Sequence, residues 1–421
     1  MDEEYRKSVL ANQMRVVTER MPHVRSVAVG IWVDTGSRNE PESRGGISHL
    51  IEHLVFKGTA SRTAEEIAKI VDSVGGQMDA FTAKEHTCFY VSVLDEHLPL
   101  AVDLLSDILL HPLFPAEEIE REKSVVLQEI RMVEDTPDDL VHELFTERVW
   151  PGHPLGRPIL GTRELVQGFS RETILTHFME EYCPAKVIIS VAGNVEHEQV
   201  VELFDRPFHK FVRQCVCRDG MPPHLAPQVD LVTKTLEQVH LVVGFPGLPQ
   251  AEPDRYALFL LNDIVGGSMS SRLFQKVRER EGLVYSIYSG AQSYRDTGLL
   301  TISAATDSQN FSKVLKLVLK EVRALHKDGI TSEELRRAKE HLKGNLMLSL
   351  ESTTSRMHRL ARQELSFGAF FSLDEMLGAI ESVREEEVHG LIHRLLDENQ
   401  MAILALGPMD RRSLPRELLK H

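Results

Sequence analysis

Two stretches of this chain, roughly two hundred residues apart, carry one pattern, and a repeat of that period constrains the fold more than any other feature. The strand-like run SVAVGIWVDTGSRNEPES from Ser26 is echoed by VHLVVGFPGLPQAEPDR from Val239, with Gly30 matching Gly244 and Glu40-Pro41 matching Glu252-Pro253. Each copy leads into an apolar helix. Farther on, FPAEEIEREKSVVLQEI from Phe114 is echoed by ITSEELRRAKEHLKGNL from Ile330, so that Glu118 falls on Glu334. Both look like a capped helix start followed by a long helix. Between these landmarks, CFYVSVL after Thr87 and LLTISAAT after Gly298 alternate as half-buried antiparallel strands do. The fold class that follows is α+β, with two related domains, each a mainly antiparallel sheet flanked by helices. The junction falls at 210–228, where RQCVCRDGMPPHLAPQ supplies a Gly, three Pro and no helical period. This sets a first domain over 1–215 and a second over 228–421.

A length of 421 residues with 42% hydrophobic content is enough for two sizeable cores. The formal net charge of −15 argues against a nucleic-acid partner, because phosphate binding needs a basic face. No run approaches the roughly 18 consecutive apolar residues of a membrane span, so no membrane partner is expected. The start, MDEEYRKSVLANQMRVVTE, has no apolar core for secretion and is acid-rich, which makes a cytoplasmic location the expectation. Four cysteines, Cys88, Cys183, Cys215 and Cys217, are too few for a disulfide scaffold and fit a reducing compartment. Cys215 and Cys217 form a lone CxC with no second Cys or His cluster nearby, so they read as two incidental thiols.

The copies differ where chemistry could sit. Glu122 falls on Ala338 and Glu129 on Asn345, and the helix after Glu252-Pro253 carries no His. The pattern implies a site formed in the first half and covered or completed by the second.

That site centres on GGISHLIEHLVFKGT. At about 100° per residue, His49 and His53 lie about 40° apart, with Glu52 and Phe56 on the same side. Ile47, Leu50, Ile51, Leu54 and Val55 form an apolar back. Two neutral imidazoles one turn apart can reach one zinc ion, and a carboxylate between them can take the proton of a water beside it. A catalytic zinc wants a third protein ligand and an open fourth position. In the segment Glu117 to Val133, an apolar stripe of Ile119, Val126, Ile130 and Val133 includes or borders Glu122 and Glu129, seven residues apart and nearly superposed. A carboxylate turned toward a core is costly unless it meets a cation or donors. An ion with Glu129 as ligand, and Glu122 orienting a histidine or water, would satisfy both.

At these residues the sequence resembles the pitrilysin-like zinc metallopeptidases, the inverzincins with H-x-x-E-H. HLIEHLVFKGT is similar to that family's zinc helix, and EREKSVVLQEI to the helix carrying its glutamate ligand. The 75 residues between His53 and Glu129, positions 54 to 128, agree with the family's spacing and pick Glu129 over Glu134 or Glu122. The resemblance implies one Zn2+ per chain held by His49, His53 and Glu129, Glu52 as general base, and Glu122 as the non-ligand glutamate. It also implies that GGSMSSRLFQKVREREGLVYSIYS, from Gly266, brings Arg278 and Tyr285 to the substrate as donors. QMDAFTAKEHTCFY, from Gln77, resembles the edge strand along which extended peptides add, through Ala80 and Phe81. Asp79 departs from the asparagine usual there. The size resembles the short, two-domain branch that includes the processing peptidases, which implies a dimer, either a homodimer or a heterodimer with a related subunit.

The expected function is zinc-dependent hydrolysis of short or unfolded peptides. One rival is a non-catalytic assembly subunit of the same fold; such subunits typically lose ligands, and here His49, Glu52, His53 and Glu129 are all present. The other is a structural zinc protein, which would want four protein ligands, usually with Cys, and no Cys lies near the motif.

Overall fold

The computed structural model describes residues 4–216, 220–410, 412 and 414–415. The chain forms two compact units: Met1–Met132, Arg157–Gly220 and Leu348–Ser372 make the first, and Val133–Gly156, Met221–Met347 and Leu373–His421 the second. Each unit therefore takes in a segment from the other half of the sequence.

The first unit's sheet contains β1 (Glu4–Val9), β2 (Arg15–Arg20), β3 (Ser26–Val33), β4 (Gln77–Thr82), β5 (Thr87–Leu94) and β6 (Val187–Gly193), in the order β1-β2-β6-β3-β5-β4. The second contains β7 (Gln228–Thr233), β8 (Val239–Pro246), β9 (Ser286–Ser293), β10 (Gly298–Thr306) and β11 (Ala402–Gly407), in the order β7-β11-β8-β10-β9. With β1 set aside the two orders are the same, each with one parallel pair, β2 with β6 and β7 with β11, and antiparallel pairing elsewhere. The repeat read from the sequence is thus a repeat of topology.

The first eight helices are α1 (Ile47–Leu54), α2 (Ala64–Ser73), α3 (Leu98–Leu110), α4 (Ala116–Asp135), α5 (Pro137–Val149), α6 (Arg163–Gly168), α7 (Arg171–Glu181) and α8 (His197–Phe208). Then follow α9 (Arg255–Asn262), α10 (Phe311–Asp328), α11 (Ser332–Ser349), α12 (Thr353–Phe367), α13 (Leu373–Ser382) and α14 (Glu385–Leu395). Their starts obey local chemistry. Thr63 accepts from the N–H of Glu66, whose carboxylate accepts from Thr63 N–H in return, a reciprocal cap on α2. Among the described residues no helix is long and apolar enough to cross a membrane.

Strand alternation separates two faces of each sheet. In the first unit Val27, Val29, Ile31 and Val33 join Leu50 of α1 and Leu105 of α3 in one core. The intervening Ala28 and Trp32 face the other way, with Ile188 and Ala192, onto Met357, Leu360 and Ala361 of α12. In the second unit, Val242, Leu404 and Leu406 are covered likewise by Val141, Phe145 and Val149 of α5. The helix on each outer face comes from the other half of the chain, which explains the glycines the repeat shares. A Cβ at Gly30 would stand 2.5 Å from Met357 Sδ, and one at Gly244 would run into the Phe145 ring.

Two expectations need correction. LLTISAAT reads as half-buried, but β10 is buried along its whole length, because α5 takes up the face that alternation would leave to water. Cys215 is not an incidental thiol. It is bonded to Cys183, with Cα atoms 5.5 Å apart, because the segment after α8 returns beside the end of α7. Cys217 lies outside the described residues, and Cys88 is a buried free thiol.

Candidate metal centre

Helix α1 begins at Gly46, whose φ of +92° is available without strain only to glycine. Gly46 offers no side chain to cap the helix. Glu40 does so from outside: its two carboxylate oxygens accept from the N–H groups of Gly46 and Ser48, both at 2.8 Å. Arg157 donates to the Glu40 carbonyl at 2.7 Å and fixes that loop. Ile47, Leu50, Ile51, Leu54 and Val55 are all fully buried, so the apolar back of α1 is sealed and its polar front is set by packing.

On that front the structure brings His49, His53 and Glu129 together, with ligand atoms within 4.8 Å of one another; among the described residues no other group of three or more His, Cys, Asp or Glu meets this spacing. His49 Nε2 lies 3.6 Å from one Glu129 oxygen and His53 Nε2 lies 3.7 Å from the other. These separations are long for hydrogen bonds. They are close to the spacing of about 3.4 Å between two ligands on a tetrahedral ion about 2.0–2.1 Å from each. Two imidazoles and a carboxylate without cysteine are also the donor set of a catalytic zinc site. The residues therefore fit the ion that the motif implies.

The surroundings hold these groups in place. Glu122, buried beside α1, accepts from His53 Nδ1 at 3.0 Å and pairs with Lys57 at 2.8 Å, which leaves His53 Nε2 for the Glu129 side. Burial, and then the neighbouring His53, push the His49 imidazole down to about 4, so it stays neutral and able to bind a cation. Glu52 is buried, and that burial raises its carboxyl above the ordinary range despite a 2.6 Å hydrogen bond donated by Thr82. A carboxylate raised in this way is a better proton acceptor.

Beside Glu52 and His53 opens a cavity of about 420 Å³ whose wall includes Phe56, Ile67, Met78 and Asp79. Its rim is β4, an edge strand whose strand pairing, among the described residues, is with β5 alone. Ala80 and Phe81 lie on that edge strand, but the N–H of Ala80 donates at 2.8 Å to the carboxylate of Asp79, which also accepts from Tyr90 at 3.3 Å. Phe81 turns its ring toward Trp32, with centroids 5.5 Å apart.

Arg278 and Tyr285 belong to the second unit. The Arg278 guanidinium lies over Tyr285, 5.5 Å from its centroid, and over Phe274 at 4.7 Å, and Tyr285 is 82% exposed. Glu134 is on the same helix as Glu129 but in the other unit, outside the cluster. Sequence reading missed Glu40, Thr82 and Lys57 as parts of the site. Glu40 alone left a trace, in the Glu-Pro pair shared by the two copies.

Comparison with known proteins shows what the chain is similar to. The profile described as "Insulinase (Peptidase family M16)" matches residues 15–163, and that described as "Peptidase M16 inactive domain" matches residues 168–342. A Bacillus subtilis (strain 168) protein described as "Uncharacterized zinc protease YmxG" is 43% identical over 397 residues, covering 94% of this chain and 97% of that protein. A similarly described zinc protease of Mycobacterium leprae is 39% identical over 421 residues, covering 98% and 94%. Among solved structures, a protease from Helicobacter pylori superposes with a TM-score of 0.90 at 21% identity, covering 96% of this chain and all of that one. The peptidase M16 inactive domain from Pseudomonas fluorescens gives 0.91 at 20% identity, covering 97% and 99%. His49, His53 and Glu129 all fall within the span of the first profile, and the chain belongs to the insulinase family, peptidase family M16.

Proposed function

We propose that the protein is a zinc-dependent endopeptidase acting on short or unfolded peptides, with His49, His53 and Glu129 as ligands of one ion per chain. The observation that carries the reading is the convergence of the two Nε2 atoms on the two Glu129 oxygens, at 3.6 and 3.7 Å. A bound zinc supplies Lewis acidity toward a peptide carbonyl and brings the pKa of a coordinated water to about 7. Glu52 takes the attacking water's proton and can return it to the leaving amine. Thr82 holds the carboxylate of Glu52. Glu122 fixes the tautomer and angle of His53. An extended peptide adds to the open edge of β4 through the main chain of Ala80 and Phe81, which favours unfolded substrates because a folded segment cannot offer a free strand. Arg278 and Tyr285 are assigned to binding the peptide carbonyl.

The same reading has the protein acting as a dimer, either a homodimer or a heterodimer with a related subunit, in the cytoplasm, a location against which the Cys183–Cys215 bond counts. Sedimentation gives the stoichiometry, and recovery of the protein from a secreted or periplasmic fraction would overturn the location.

Glu52→Gln is expected to keep stoichiometric zinc while losing peptide hydrolysis by more than a hundredfold, whereas His49→Ala loses both. Zinc content by mass spectrometry and cleavage of a quenched peptide read the two effects. Wild-type turnover by Glu52→Gln would remove Glu52 as the base, and a zinc-replete but inactive wild type would favour a non-catalytic assembly subunit.

A further inference from the structure

A second meeting of imidazoles lies in the second unit, on α10 and α14, helices that pack against each other. His326 is in the last turn of α10 and His393 in the last turn of α14. His393 Nδ1 and His326 Nε2 are 3.4 Å apart. The rings stand at 90°, with centroids 4.4 Å apart, so the approach is nitrogen to nitrogen and not face to face. Both residues are exposed and open to an ion from solvent.

We propose that His326 and His393 form a second metal site, at which two imidazoles and solvent water hold a divalent first-row transition ion. Three observations carry it. The separation exceeds the roughly 2.7–3.2 Å of a good N–H hydrogen bond, and it is near the distance of about 3.4 Å between two nitrogens on one tetrahedral ion. Both histidines sit at helix C-termini, where the backbone dipoles present partial negative charge and favour a cation. A cleft of about 290 Å³ opens beside His326, walled in part by Asp397 and Glu398, with room for the waters that would complete the shell.

Charge around the cleft sets the strength. Arg323 is neutralised by Glu398 at 2.6 Å. Lys327 also lines the cleft and opposes a cation. With two protein donors against three at the first centre, the site is the weaker and faster-exchanging of the two. Imidazole donors select copper, nickel and zinc over magnesium and calcium, and copper over zinc.

The test is to titrate metal-free protein with ZnCl2 alone and count bound zinc by equilibrium dialysis, in wild type, His49→Ala, His326→Ala and His393→Ala. Wild type is expected to show a tight and a weak class. His326→Ala and His393→Ala should each weaken the weak class at least tenfold and leave the tight one, and His49→Ala should do the reverse. Survival of the weak class in His49→Ala tests this site whatever the fate of the peptidase reading. In His49→Ala, zinc should also raise the thermal midpoint, and the further change His326→Ala should remove that rise. CuCl2 should bind there at least tenfold more tightly than ZnCl2, and MgCl2 not at all. An unchanged weak class in His326→Ala and His393→Ala, or equal binding of magnesium, would overturn the proposal.

Discussion

Asp79 shows how one side chain can tune a strand edge. Its carboxylate accepts from the N–H of Ala80, a group that an incoming peptide strand would use. Removing the carboxylate frees that donor. A net hydrogen bond is worth about 1 kcal/mol, so Asp79→Ala is expected to lower KM for an extended peptide about fivefold. Steady-state kinetics on one quenched substrate check it, and an unchanged KM would show that the carboxylate does not compete. At this scale the two faces of α1 were legible, because a His-Glu-His face against an apolar back is a local pattern. Glu40 and the Asp79 contact were not. Each depends on where a loop or strand edge finishes, which spacing along one helix does not encode.

At the scale of elements, α12 is the segment whose attachment can be measured. Met357 packs on Gly30, Arg356 pairs with buried Glu19, and His358 meets Phe81 at 5.7 Å. Burial, with help from Arg362, pushes His358 down to about 4, and burial, Arg362 and His358 do the same to His86. A histidine with a depressed folded pKa contributes stability that is present above its unfolded value, near 6.5, and is lost as pH falls toward about 4. The urea midpoint is therefore expected to drop between pH 7 and pH 4.5, and to drop less in His86→Gln/His358→Gln. Parallel pH profiles would exclude these two histidines as the cause. Gly30→Ala drives a methyl into Met357 Sδ and Trp32 Nε1, and is expected to cost about 1–3 kcal/mol in denaturant melts. The glycine pairing was visible in the repeat; its reason became visible only with the helix that lies on it.

For the whole molecule, the duplicated topology could be read because strand and helix landmarks recur in the same order at a nearly constant offset. The exchange of α5 and α12 between units could not, since an amphipathic helix carries no mark of which sheet it will cover. The same limit hid the Cys183–Cys215 bond, whose partners are 32 residues apart and meet only when the segment after α8 folds back. Closing a loop of that length is worth about 3–4 kcal/mol in the chain-entropy account. Cys215→Ser is expected to lower stability by that order in oxidised protein, and wild type in dithiothreitol should fall to the same midpoint. Coincident curves without reductant would mean that the bond adds nothing.

Because Met357, Leu360 and Ala361 seal Trp32, Ile188 and Ala192, a ribosome that has released only the first two hundred or so residues has emitted a sheet with one oily side still bare. Its cover is encoded about 150 positions downstream, a delay of roughly eight to thirty seconds at 5–20 residues per second. Until then the face that α12 covers stays open to water, and the leading half made by itself is expected to expose that apolar face.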